Sequence, residues 1–264
     1  MAKTIVISNQ KGGVAKTTTC LSLGGCLAEM GKNVLLIDLD PQANLTQSLG
    51  IKPEELRRTI GDALLGNTSM VSVSRESPVP GLDIIPASQG LLLLDKILYG
   101  RPNYQFRLKN GLATMDQCFY DFVVMDCPSS LGTLTVNALT AAELLIIPIQ
   151  CEYYASRTLK NYLAMVQRVQ EKSNPQLTYR VLVTMYDMRN KISRVVLEQM
   201  QRGLNEILLE TVIGVDTKLR ESPAFGQPIN LYAPNTRATE QYRALAKELV
   251  DHGGKELTTH GEEA

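Results

Sequence analysis

Asn9-Gln10-Lys11-Gly12-Gly13-Val14-Ala15-Lys16-Thr17-Thr18-Thr19 follows an apolar run, Thr4-Ile5-Val6-Ile7-Ser8, and leads into a helical pattern. Strand, glycine-rich loop and helix, in that order, form a phosphate-binding unit. Loop N–H groups converge on the anion, and the positive end of the helix faces the same point. In such a unit Lys16 reaches the β- and γ-phosphates of a nucleotide, and the Thr17 hydroxyl ligates Mg²⁺. The cradle runs through Lys11, Gly12, Gly13, Val14, Ala15, Lys16, Thr17 and Thr18. Lys11 is the unusual member. A second lysine has an electrostatic use beside phosphates, although it also reads as a solvated lysine in a turn.

The pattern G-x-x-x-x-G-K-[ST] passes over this loop, because Gln10 stands for the first glycine and Ala15 for the last. The loop instead resembles x-K-G-G-x-x-K-[ST], the deviant Walker A of the ParA/MinD/nitrogenase-iron-protein superfamily. That resemblance implies that Lys11 crosses a dimer interface to contact ATP held by the other subunit.

Lysine plus arginine and aspartate plus glutamate both total 27, so net charge is silent about nucleic acid and any DNA surface must be a local patch. No apolar run approaches the ~20 residues of a membrane span. The chain enters a strand at once, without a leader, so a cytoplasmic protein is expected. Five cysteines (Cys20, Cys26, Cys118, Cys127, Cys151) include no C-x-x-C pair, and the histidines are His252 and His260 alone. Neither a disulfide framework nor a zinc site is expected. Cys20 and Cys26 read as small buried hydrophobes of the first helix.

Candidate strands are 4–8, 34–38, 82–85, 122–126, 144–150, 180–184 and 211–215. Several are continuous apolar runs, as in strands buried on both faces of a parallel sheet. Helices are expected over 16–30, 131–141, 156–171, 192–208 and 238–250. The alternation predicts a single doubly wound α/β domain over 1–251, mostly parallel, with helices on both faces. The mixed-charge tail 252–264 is expected to be disordered. Gly24-Gly25 inside the first helix costs about 1 kcal/mol per glycine relative to alanine, which points to close packing on the sheet.

Two further carboxylate elements surround the loop. The second strand ends Ile37-Asp38-Leu39-Asp40-Pro41-Gln42, with carboxylates at the carboxyl edge where open α/β sheets bind ligands. Asp38 and Asp40 are assigned jointly to magnesium and to positioning the attacking water, their division left open. D-x-D-P-Q resembles switch I of the ParA family. A later strand ends Phe122-Val123-Val124-Met125-Asp126, a carboxylate at a strand tip aimed at Mg²⁺ through water. The metal set is Thr17, Asp38 and Asp126; the catalytic set is Lys11, Lys16, Asp38 and Asp40. The segment resembles Y-D-x-x-x-x-D-x-P-P-S but departs at Ser129, where relatives usually have a second proline, loosening the switch II turn.

The resemblance to ParA/Soj proteins extends through Ile85-Pro86-Ala87-Ser88, Pro148-Ile149-Gln150-Cys151-Glu152-Tyr153-Tyr154-Ala155, Thr184-Met185-Tyr186-Asp187 and Glu221–Ile229. It implies adenine contacts near Met185 and Thr217, with core packing an equal reading for Met185. It also implies non-specific DNA binding through basic residues late in the chain. The candidates are Lys191, Arg194, Lys218, Arg220, Arg237, Arg243 and Lys247, the last two sharing a face at i,i+4. Interleaved acids allow a plain solvated surface. The family's I-P-R-N reads Ile213-Gly214-Val215-Asp216 here, without the arginine.

The resemblance as a whole implies an ATPase using ATP and Mg²⁺, weak alone and stimulated by partners. Such a protein forms an ATP-dependent homodimer, associates with the nucleoid by non-specific double-stranded DNA, and moves a cargo with a ParB-like or McdB-like adaptor. Ala15 is similar to some carboxysome-positioning, McdA-like members. A MinD-like membrane regulator needs a basic amphipathic C-terminal helix, and 257–264 is acidic and polar. An iron–sulfur reductase needs paired cysteines, and Cys127 has no second in matching context. An ATP-dependent metabolic ligase on the same fold would turn over without DNA or partner.

Overall fold

The computed structural model describes residues 2–115, 119–152 and 155–251. The tail 252–264 with both histidines, together with Cys118, Tyr153 and Tyr154, lies outside the described residues. Eight strands form one sheet: β1 Lys3–Ile7, β2 Val34–Asp38, β3 Arg75–Glu76, β4 Leu82–Ile85, β5 Phe122–Asp126, β6 Leu144–Gln150, β7 Thr178–Tyr186 and β8 Leu208–Gly214. Their order is β3-β4-β2-β5-β1-β6-β7-β8, and β3 alone pairs antiparallel. The helices are α1 Lys16–Glu29, α2 Asn44–Gln47, α3 Ile60–Leu65, α4 Met70–Val73, α5 Leu91–Leu98, α6 Arg107–Ala113, α7 Thr133–Ala141, α8 Ala155–Lys172, α9 Lys191–Gly203, α10 Lys218–Glu221, α11 Ile229–Tyr232 and α12 Arg237–Asp251.

Continuous apolar strands are explained by a core on each face. Ile5, Ile7, Leu36 and Val124 meet Leu21, Leu23 and Leu27 of α1 and Tyr242 and Leu245 of α12. Their sequence neighbours Val6, Leu35, Ile37, Val123 and Met125 point the other way, into a layer with Leu94, Leu108, Leu134 and Tyr162. Alternate residues face opposite sides of a strand, so a strand covered on both must be apolar throughout. Each such side chain contributes roughly 1.5–3 kcal/mol on burial. The expected single doubly wound α/β domain is the one observed.

The register positions the chemistry. β1 lies between β5 and β6, so the loop after Ile7 emerges at the centre of the carboxyl edge. Ile7 pairs with Asp126, and Asp126 with Asp38, which sets both carboxylates beside the loop. Gly24 and Gly25 of α1 serve two different surfaces. A Cβ on Gly24 would stand 2.8 Å from Leu36 Cδ2 of the sheet, whereas one on Gly25 would stand 2.6 Å from Pro228 Cβ.

Two expectations are corrected. The helix expected over 192–208 stops at Gly203, and Leu208-Leu209 belong to β8, which ends at Gly214. Strand β3 and helices α2 to α6 carry the chain between β2 and β5, where only the strand 82–85 had been expected. In α5, Leu91, Leu94 and Leu98 are buried while Leu92 and Leu93 face solvent. An unbroken run of leucines hides that period.

Candidate active site

The loop is pinned by side chains from neighbouring strands. Asn9 Oδ1 accepts from the Lys11 N–H at 3.0 Å, and its Nδ2 donates to the Pro148 carbonyl at 2.8 Å. Gln150 Nε2 donates to the Gly13 carbonyl at 2.8 Å, and the Thr184 hydroxyl to that of Val14 at 3.1 Å. Gly13 and Ala15 both take left-handed conformations, with φ of 72° and 64°. Glycine accepts such a φ freely; alanine bears a strain of roughly 1–2 kcal/mol. Ala15 is therefore a standing strain at the entry to α1. No side chain caps that helix, so its first N–H groups are free to meet an anion.

Lys16 is buried behind the loop. Its Nζ donates to the Lys11 carbonyl at 3.1 Å and to Ser129 Oγ at 3.0 Å. Burial lowers its pKa, with Asp126 and Asp40 opposing the shift. Sequence reasoning missed the acceptor role of Ser129 and saw only a loosened turn. A hydroxyl where relatives have proline, three residues past the strand-tip aspartate, was the available signal.

The carboxylates divide by environment. Thr17 Oγ1 donates to Asp126 Oδ2 at 2.7 Å, and the other oxygen of Asp126 is buried without a partner. Burial and the neighbouring Asp38 hold the Asp126 pKa well above the usual carboxylate range. Asp38 Oδ1 accepts from the Asp40 N–H, and its Oδ2 from the N–H and hydroxyl of Thr46. Burial pushes Asp38 up to about 6 in spite of these bonds. Asp40 instead lines the cleft, its Oδ1 taking the Gln42 N–H.

A small divalent cation suits these oxygens. The orphaned Asp126 Oδ1 and the Thr17 hydroxyl are hard donors, and the crowded acidic pair is relieved by positive charge. Among the described residues no His/Cys/Asp/Glu group of three could cage a metal by itself. Mg²⁺ held by few protein ligands plus substrate phosphates has that character. Thr17 and Asp126 would hold the ion, with Asp38 behind them, and it would neutralise charge on the phosphates.

The Lys11 side chain is engaged by Gln150, at the end of β6, and by Glu152 just beyond. Its Nζ pairs with Glu152 Oε2 at 2.5 Å and donates to Gln150 Oε1 at 3.3 Å. The two charged side chains are 38% and 55% exposed; such pairs hold by about 1 kcal/mol or less and exchange readily. Gln150 and Glu152 lie in the segment 148–155 that resembles ParA/Soj proteins, but nothing in its spacing pairs either with Lys11, and sequence reasoning missed that contact.

A cleft of about 340 Å³ runs from Gly13, Ala15, Lys16, Thr17 and Thr18 past Asp40 and Ser129 to Met185 and the segment Ile213–Asp216. Met185 has φ 52° at an irregularity between β7 and β8. Its sulfur accepts from Gln150 Nε2 at 2.8 Å, so it faces the cleft rather than either core. Thr217 is the N-cap residue of α10 and is not among the residues that line the cleft, whose wall here is Asp216, Leu219 and Arg220.

The basic candidates scatter over α9, α10 and α12. Lys191, Arg194, Arg220, Arg237 and Lys247 are exposed. Lys218 pairs with Glu221 at 2.7 Å. Arg243 makes a two-point contact with Glu29, both bonds 2.7 Å, and so does not join Lys247 as a free cation. The described cysteines are free and buried, and no described helix is long and apolar enough to cross a membrane.

A glycine-rich loop between a central strand and a helix, with a buried carboxylate at the tip of the adjoining strand, is how a P-loop ATPase is built, and this chain is built so. A family model described as an AAA domain matches residues 2–179. Sporulation initiation inhibitor protein Soj of Bacillus subtilis is 42% identical over 254 residues, 96% of this chain and 100% of that one. The chromosome partitioning protein ParA of Caulobacter vibrioides is 38% identical over 250 residues, 94% of each. Cobyrinic acid a,c-diamide synthase of Mycobacterium smegmatis, solved with an ATP analogue and magnesium, matches with a TM-score of 0.84 and 35% identity over 97% of each chain. The chain belongs to the ParA/Soj family of ATPases, within the ParA/MinD superfamily.

Proposed function

We propose that this chain is a partitioning ATPase with residues 1–251 as its catalytic unit, working as an ATP-dependent homodimer. ATP and Mg²⁺ are its cofactors. Lys16 and the N–H groups of α1 hold the phosphates, Thr17 and Asp126 hold the metal, and Asp38 and Asp40 order the attacking water. The observation that carries the reading is the placement of its two lysines. Lys16 fills the phosphate cradle, while Lys11 stands at the rim on an exposed ion pair with Glu152. A cation so held is free to reach a nucleotide in a second subunit. The ATP dimer binds nucleoid DNA without sequence preference in the cytoplasm. An adaptor of ParB or McdB type, carried on a chromosome, plasmid or protein compartment such as a carboxysome, stimulates hydrolysis and releases the dimer.

Nucleotide binding and turnover, measured with duplex DNA present, test this directly. Lys16→Ala abolishes nucleotide binding, and Lys11→Ala retains binding but loses stimulated turnover. Full turnover in Lys11→Ala would remove the shared-site mechanism. A second reading, an ATP-dependent ligase, is favoured by the likeness to the diamide synthase. It predicts turnover driven by a small carboxylate substrate and indifferent to DNA.

A further inference from the structure

Ser129 stands in the turn between β5 and α7, where relatives usually have a second proline. The exchange places a hydroxyl in the cleft, and a hydroxyl both accepts and donates. Ser129 Oγ accepts from Lys16 Nζ at 3.0 Å, and its own proton has no acceptor among the described residues. A Cβ on Gly12 would stand 3.7 Å from Ser129 Oγ, so the side chain lies against the glycine-rich loop. The turn that carries it is held at its far end. The Ser130 carbonyl accepts the Thr135 hydroxyl at 2.7 Å, and the Gly132 carbonyl accepts the Val136 N–H at 3.1 Å. Helix α5 closes it from outside: a Cβ on Gly132 would stand 2.6 Å from Asp95 Oδ2. A donor on so fixed a turn is aimed in advance and costs no reorganisation when it meets its acceptor.

Lys16 and Ser129 together present two donors. An ammonium carries three protons, and Lys16 spends two, on the Lys11 carbonyl and on Ser129 Oγ. Its third proton and that of Ser129 sit on atoms 3.0 Å apart, close enough for one phosphate group to take both. The sheet order says which phosphate. Asp40 and Ser129 follow β2 and β5, on one side of β1, whereas Met185 of β7 and Asp216 beyond β8 line the cleft on the other side. A nucleotide with its base toward Met185 and Asp216 ends its phosphate chain beside Asp40 and Ser129.

We propose that Ser129, paired with Lys16, contacts the terminal phosphate of ATP and by that contact sets the preference of this chain for ATP over ADP. The inference rests on the ATPase reading above and adds to it a residue and a specificity. ADP, shorter by that phosphate, keeps the N–H groups of α1 and loses the Ser129 contact. Ser129 thus touches the nucleotide itself and does more than steady a lysine.

Isothermal titration calorimetry in Mg²⁺, with a non-hydrolysable ATP analogue and separately with ADP, tests this. Ser129→Ala is expected to weaken binding of the analogue about tenfold, as for a lost hydrogen bond to a charged group, with ADP binding unchanged. Ser129→Thr, which keeps the hydroxyl, is expected to hold the wild-type ratio of the two affinities. Equal losses for analogue and ADP in Ser129→Ala overturn the inference and reduce the residue to a support for Lys16. A loss of analogue affinity as large in Ser129→Thr as in Ser129→Ala assigns the effect to the turn and overturns it as well. Unchanged analogue affinity in Ser129→Ala overturns it and leaves the ATPase reading standing. A wild-type chain that binds neither nucleotide removes that reading itself.

Discussion

Asp38 and Asp126 sit side by side at two strand tips, fully buried; burial makes both harder to ionise, and the charge on Asp38 adds to the effect at Asp126. The folded chain therefore binds protons there that the unfolded chain, with ordinary carboxylates near pH 4, has already lost. Stability from Asp38 is full below that pH and is lost as pH rises through its folded value of about 6. Urea unfolding of the metal-free chain is expected to show greater stability at pH 5 than at pH 7.5, with a contribution from this site on the order of 2 kcal/mol. Asp38→Asn, neutral at both, is expected to reduce that dependence and leave the part that belongs to Asp126. An equal slope in wild type and variant would assign it to other groups. The same two residues show how far sequence carries at this scale. Strand-tip position marked both as metal-side carboxylates, but only the fold separates Asp38, enclosed by Thr46, from Asp40 on the cleft wall.

Helix α7 begins at Thr133 behind Gly132, which offers no side chain for capping. The cap comes from another helix. Asp95 of α5 accepts the Leu134 N–H through Oδ1 at 3.1 Å, and its carbonyl accepts the Thr133 hydroxyl at 3.1 Å. A carboxylate at a helix N-terminus also meets the favourable end of the dipole. Asp95→Ala is expected to lower stability by about 1 kcal/mol, in the range of lost N-caps, as a shift in the urea midpoint with unchanged slope. No shift would mean that water replaces the cap at no cost. This contact explains why the region was illegible in sequence. The strands were readable because burial on both faces makes each one apolar throughout. Helix α5 opens on four leucines that hide its period, and its acidic residue acts on a helix 39 residues further on. Ser129 and Glu152 are of the same kind. Each acts on a loop lysine 113 or 141 residues away, and no local spacing announces the pairing.

At the scale of the whole molecule, one sheet gathers a glycine-rich loop, two buried strand-tip carboxylates and a cleft reaching β8, and the Lys11 side chain is paired with Glu152 rather than lining that cleft. The strand, loop and helix of this unit were legible because they lie within a single short stretch, and β1 and α1 flank the loop as expected. What Lys11 does lay beyond that stretch, and its partners Gln150 and Glu152 come from the end of β6 and just beyond. Its weak, exposed ion pair leaves it available to a second subunit, and the partitioning reading depends on that availability. The measurement that bears on it most directly is the mass in solution, by light scattering, of wild type and Lys11→Ala in Mg²⁺ with a non-hydrolysable ATP analogue. Wild type is expected to be a dimer with the analogue and a monomer with ADP, and Lys11→Ala a monomer in both while still binding nucleotide. A Lys11→Ala chain that dimerises as wild type does, or a wild-type chain that stays monomeric with the analogue bound, would contradict the account.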